Sequence, residues 1–226
     1  MSIRLALGVP GAGKTLALQD LARDAVSQGW CVWTVCRANE WAGDNNPRWR
    51  GQPPEILDVD ADPDDDELLS ELIETRERGG VLVRFPFPWE SWQMASLAAL
   101  VGDLVVIDDE IDLVARRKGW DDNPWRAFVH RGRHLPDHEG TPREVHVYGA
   151  ARRPQNLHTD LTELADEVML FRLQGSNTLQ RVSDEAWVED SKLVELTQLP
   201  DLHYMLWRSS GERGQGVLKG LGSPSP

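Results

Sequence analysis

The segment Gly8-Val9-Pro10-Gly11-Ala12-Gly13-Lys14-Thr15 restricts the possible folds of this chain more than any other. It fits the pattern G-x-x-x-x-G-K-[ST], and its flanks supply the context that pattern needs. Ile3, Leu5 and Leu7 predict a short buried strand before it. Leu16, Ala17, Leu18, Leu21, Ala22, Ala25 and Val26 recur at helical spacing after it. In the order strand, glycine loop, helix, backbone N–H groups can turn inward as a nest for phosphate oxygens while the positive end of the helix faces them. Gly8, Pro10, Gly11, Ala12, Gly13, Lys14, Thr15 and Leu16 then line a triphosphate. Lys14 reaches the β and γ phosphates, and the Thr15 hydroxyl can ligate Mg²⁺. A match of this kind arises by accident on the order of one time in a hundred in a chain this long, so a bare glycine turn is the weaker reading.

About ninety residues later, Asp103-Leu104-Val105-Val106-Ile107-Asp108-Asp109-Glu110 is an apolar strand ending in carboxylates. Opposite a phosphate loop, one such Asp holds the magnesium shell and a following acid orients and deprotonates the attacking water. Strand alternation sets Asp108 and Glu110 on one face and Asp109 on the other. That favours Asp108 as the metal residue with Glu110 as base. A pair made of Asp109 and Glu110, or Asp109 itself as base, stays open. The expected ligands are ATP and Mg²⁺.

The length, 226 residues, suits one α/β domain over residues 1–220, with a lid-like loop at 37–54 carrying Trp41 and Trp49 and a disordered tail at 221–226. Those tryptophans either clamp a base or anchor the loop to the body. No run approaches the length of a membrane span, and the N-terminus passes directly into the first strand, so a cytoplasmic location is expected. Cys31 and Cys36 are expected as core thiols. Net charge is −13, which argues against a protein whose whole surface coats nucleic acid. The distribution is uneven. Residues 55–78 hold eleven acids against two basic residues, whereas 113–153 holds nine Arg or Lys against five acids, with four histidines.

Further strands are expected at Trp30–Val35, Glu55–Asp60, Val81–Phe85, Val145–Ala150 and Val168–Leu173. Helices are expected over 64–78, Ser91–Leu100, Trp125–His134, part of 157–165, and Asp184–Leu196. Leu202–Trp207 and Val217-Leu218, with a glycine-bearing turn between them, predict a closing hairpin. Within the basic zone, His130 and His134 are four apart but have no obvious third ligand for zinc. Its arginines suit DNA phosphates or a neighbouring subunit's γ-phosphate, with pairing to the acidic helix as the plain alternative.

The phosphate loop, the Leu-Val-Val-Ile-Asp-Asp-Glu strand, Arg131-Gly132-Arg133-His134 and the strand leading into Arg152-Arg153-Pro154-Gln155-Asn156 together resemble the FtsK/HerA superfamily, as does the Ala165–Arg172 run. Within it the chain is most similar to the genome-packaging ATPases of icosahedral, membrane-containing DNA viruses. The resemblance implies a RecA-like P-loop NTPase of the ASCE class: a mainly parallel sheet flanked by helices, with the strand from Val145 flanked by the phosphate-loop strand and the acidic strand. It implies a homo-oligomeric ring with ATP at subunit interfaces and translocation of double-stranded DNA into a capsid. The implied partner is a portal or vertex protein, and the implied location is the cytoplasm of an infected host or the virion's packaging vertex. Arg131, Arg133, Arg152 or Arg153 then completes the catalytic set with Lys14 and the carboxylates at 108–110. The family commonly has Gln where Arg152 stands, so the sensing role falls to Arg152, Gln155 or Asn156. A filamentous-phage-assembly ATPase of the zonula-occludens-toxin type, a small-molecule kinase and a nucleotide-binding scaffold are the alternatives.

Overall fold

Short apolar runs alternating with amphipathic helices predict parallel strands covered by helices, and the chain has that mixed α/β, mostly parallel form. The computed structural model describes residues 1–36, 41, 54–60, 66–116, 119–131, 135–136 and 140–218. The strands are β1 (Ile3–Leu7), β2 (Val32–Cys36), β3 (Glu55–Asp58), β4 (Val81–Pro86), β5 (Leu104–Asp108), β6 (Leu135–Pro136), β7 (Pro142–Arg143), β8 (Val145–Ala151), β9 (Glu167–Leu170), β10 (His203–Arg208) and β11 (Arg213–Val217). The helices are α1 (Lys14–Ser27), α2 (Asp66–Arg78), α3 (Ser91–Val101), α4 (Ile111–Val114), α5 (Pro124–Arg131), α6 (Thr159–Glu163), α7 (Ser176–Asp184) and α8 (Leu193–Thr197). Contacts gather them into two compact units interleaved along the chain, one of Met1, Gln19–Asp108 and Asp121–Tyr148, the other of Ser2–Leu18, Asp109–Trp120 and Gly149–Pro226.

In the first unit the early part of β8 is followed by β5, β2, β4 and β3, and the pairs β5–β2, β2–β4 and β4–β3 are parallel. The interiors of β2, β4 and β5 are buried almost throughout, which is why they read as continuous apolar runs. At the edge, β3 exposes Glu55 and Asp58, which pair with Arg78 and Arg84 and blunt the open strand. Leu68, Leu72 and Thr75 bury one stripe of α2, and Trp125, Phe128 and Val129 bury one face of α5. Helix α5 is described only as far as Arg131; Arg133 and His134 lie outside the described residues, as do Trp49 and nearly all of the expected 37–54 loop. Trp41 is 1% exposed and its carbonyl accepts Arg84 Nη1 at 2.9 Å. Neither cysteine is in a disulfide; Cys31 is buried, which pushes its pKa up to about 11.

In the second unit the order is β11, β10, β9, β1 and the end of β8. β1 and β9 are parallel, while β10 runs antiparallel to β9 and to β11, forming the expected closing hairpin. β8 stands between β1 and β5 in the strand order, as expected. The Asp166 carboxylate accepts the Ile3 N–H at 2.8 Å and the Asp166 N–H donates to the Ile3 carbonyl at 2.8 Å, which sets the β1–β9 register.

One expectation needs correction. The helix expected at Asp184–Leu196 is instead α7, which ends at Asp184, then a turn with Ala186 at φ 53°, a 3-10 turn at Asp190–Lys192, and the short α8. Thr178 and Val182, four apart, supply the buried stripe of α7. A polar Ser-Asn-Thr start hid that stripe, while Trp187 and Val188 fill the core from a turn rather than from a helix face.

Candidate functional site

The phosphate loop leaves β1 between two strand ends of the second unit. The Gly8 N–H donates to the Ala151 carbonyl at 3.1 Å and the Val9 N–H to the Arg172 carbonyl at 2.9 Å. Gly8 has no room for a side chain, since a Cβ there would lie 2.7 Å from Phe171 Cβ. Gly11 and Gly13 take φ values of 78° and 118°, the left-handed region a nest of N–H groups requires. Helix α1 begins at Lys14. Lys14 is only 7% exposed, and its Nζ donates to the Val9 carbonyl at 3.0 Å, spanning the loop. Burial pushes its pKa down, and the neighbouring Asp109 carboxylate opposes that shift.

The Thr15 hydroxyl donates to Asp109 Oδ2 at 2.6 Å. Asp108, in the other unit, is fully buried and accepts the Ser91 hydroxyl, which in turn accepts Trp125 Nε1 at 3.1 Å. The alternation argument for Asp108 stops applying because β5 ends there and Asp109-Glu110 form a turn. The structure therefore joins Thr15 to Asp109 by a hydrogen bond.

Glu110 lies 2.5 Å from Arg152 Nη2 in an ion pair. Asp112, which the sequence reading did not single out, is 5% exposed and accepts the backbone N–H groups of Arg152 and Arg153. Burial pushes its pKa up, and those hydrogen bonds offset part of the shift. It ties α4 to the segment after β8. The signal was present as a further acid two residues beyond Glu110. Beyond Arg152 and Arg153, the Gln155 side chain accepts the Thr178 hydroxyl at 2.9 Å. A cleft of about 500 Å³ opens here, lined by Val9, Pro10, Arg152, Arg153, Gln155 and the start of α7. The loop, Asp109, Glu110, Asp112, Arg152 and Arg153 thus belong to one unit.

Of the basic zone, Arg131 is exposed at the end of α5, in the other unit. Arg126 pairs with Asp121 at 3.7 Å and Arg143 with Asp103 at 2.9 Å.

No model of a known protein family matches this chain, and no curated protein matches its sequence. Solved structures share its fold. The genome packaging NTPase B204 from Sulfolobus turreted icosahedral virus 2 in complex with AMPPCP aligns with a TM-score of 0.67 at 14% identity, over 95% of this chain and 96% of that one. VirB4 of Thermoanaerobacter pseudethanolicus aligns with a TM-score of 0.60 at 10% identity, over 96% and 89%. The monomer form of the pCW3 conjugation coupling protein TcpA with ATPγS aligns with a TM-score of 0.53 at 15% identity, over 95% and 59%. At such identities these neighbours establish the fold alone.

Proposed function

We propose that the chain is an ATP-hydrolysing motor subunit that works in a homo-oligomeric ring and moves double-stranded DNA into a viral capsid. The observation that carries the reading is the Thr15–Asp109 hydrogen bond, which brings the phosphate loop and the acidic strand end to one point. In P-loop NTPases these two groups hold Mg²⁺. The residues fit the ion: a hydroxyl and one carboxylate leave positions for phosphate oxygens and water, the way Mg²⁺ is ordinarily held beside a nucleotide. Among the described residues no group of three His, Cys, Asp or Glu is placed to cage a metal, as zinc or calcium would need. When bound, Mg²⁺ would neutralise charge on the β and γ oxygens.

On this reading each residue of the chain takes a role. Gly8, Pro10, Gly11, Ala12, Gly13 and Leu16 shape the cradle, and Lys14 supplies its charge. Glu110 orients the attacking water and takes its proton. Arg152 holds Glu110 until a γ-phosphate competes for the guanidinium, so it serves as the sensor, with Arg153 and Gln155 beside it. Arg131, with Arg133, is assigned to the neighbouring subunit's site or to the DNA. Among the described residues no helix is long and apolar enough to cross a membrane, a feature the phage-assembly alternative usually has. A capsid portal or vertex protein is the expected docking partner, in the cytoplasm of an infected cell.

The deciding experiment is ATP turnover by the purified chain with and without double-stranded DNA. Turnover stimulated by DNA is expected, and Lys14→Ala should abolish it with the chain still folded, because the charge that holds the ligand is lost. Phosphoryl transfer to a small acceptor, indifferent to DNA, would instead make the protein a kinase.

A further inference from the structure

We infer that Leu202 is the positioning residue of the phosphate loop, and that the turn preceding the C-terminal hairpin holds the loop ready for its ligand. This rests on the nucleotide reading of the loop and adds a residue to it.

A phosphate nest works only if the carbonyl oxygens of the loop point away from the anion, since an oxygen turned inward would repel it. The Val9 carbonyl is occupied by Lys14 Nζ and by the Ala12 N–H at 3.3 Å, and the Gly13 carbonyl by the Ala17 N–H at 3.0 Å. The Ala12 carbonyl has its partner outside the loop: the Leu202 N–H donates to it at 3.0 Å. The Leu202 side chain lies over the next residue, with Cδ2 3.1 Å from where a Cβ on Gly13 would sit. One residue therefore both turns the Ala12 carbonyl and covers Gly13.

Leu202 does this from a conformation that leucine avoids. Its φ is 66°; among the described non-glycine residues only Asp103 and Ala186 share a positive φ. A strained residue persists only where its surroundings over-determine it, and here they do. The Leu202 carbonyl accepts the Leu218 N–H at 2.9 Å, and Asp201 pairs with Arg172 at 2.9 Å. Arg172 in turn accepts the Val9 N–H, so the contacts close a circuit from Val9 through Arg172, Asp201 and Leu202 back to Ala12. A glycine at 202 would meet the dihedral without strain, but it would give up the lid over Gly13 and loosen the turn.

The test compares native protein, Leu202→Gly and Lys14→Ala in binding mant-ATP with Mg²⁺, alongside unfolding temperature and kcat. Leu202→Gly is expected to raise the Kd for mant-ATP about tenfold by loosening a preorganised site, with its unfolding temperature equal to or above native because strain is relieved. Leu202→Met, which keeps the cover, should restore affinity. In native protein, Mg–mant-ATP should slow hydrogen exchange at the Leu202 and Leu218 amides, a readout independent of whether any variant folds. Native affinity in Leu202→Gly, or amide exchange at Leu202 unchanged by bound nucleotide, overturns the inference and leaves the nucleotide site standing. If native protein fails to bind mant-ATP, or binds it no better than Lys14→Ala does, the nucleotide reading itself falls and this inference falls with it.

Discussion

Adjacent residues Asp108 and Asp109 differ in what they touch, and so they should differ in what they do. Asp108 ends a buried strand and anchors Ser91 and Trp125, whereas Asp109 begins the turn and takes the Thr15 hydroxyl. Asp108→Ala should cost about 1–3 kcal/mol by leaving buried donors without a partner, measured by urea unfolding. Asp109→Ala should instead keep stability and abolish Mg²⁺-dependent turnover. The reverse pattern would return the metal role to Asp108. From sequence the two were separable only by assuming how far the strand ran, and it stops two residues too early for that assumption. Asp112 shows the same limit, since nothing in a linear sequence says that its carboxylate meets the amides after β8.

Elements meet closely where small residues permit it. Helix α4, which follows the Glu110 turn, rests on β8 at Gly149, where a Cβ would lie 2.7 Å from Ile111 Cδ1 and 2.8 Å from its Cγ2. Gly149→Ala should destabilise by about 1–3 kcal/mol through overpacking and, by shifting Glu110 relative to the loop, lower kcat by up to about a hundredfold. Adding Ile111→Val removes the nearest methyl and should recover part of both losses, so a double-mutant cycle should show coupling of about 0.5 kcal/mol or more. Purely additive effects would mean that α4 does not bear on β8 in this way. Glycine in a strand signals close approach in general, but which helix approaches is a property of the fold.

At the scale of the whole molecule, the loop, Asp109, Glu110 and Arg152 fall within one unit. Arg131 belongs to the other unit and is proposed to serve a neighbouring copy. Arg131→Ala should cut kcat about a thousandfold in assembled protein, the scale of a lost arginine finger. Mixing it with a Glu110→Gln chain should restore measurable turnover, because some interfaces then combine an intact base with an intact arginine. Two inactive parents that stay inactive when mixed would place Arg131 outside the site. What the sequence determined by itself was whatever depends on local order: the glycine loop between strand and helix, the acidic strand, the closing hairpin and the uneven charge. What only the tertiary structure decided was which carboxylate meets Thr15, what Arg152 holds, and that a leucine far along the chain braces Ala12. Dihedral preference and hydrophobic period act between neighbours in sequence, whereas these partners are brought together by packing across 42 to 190 residues, a range over which the linear pattern carries no distance information.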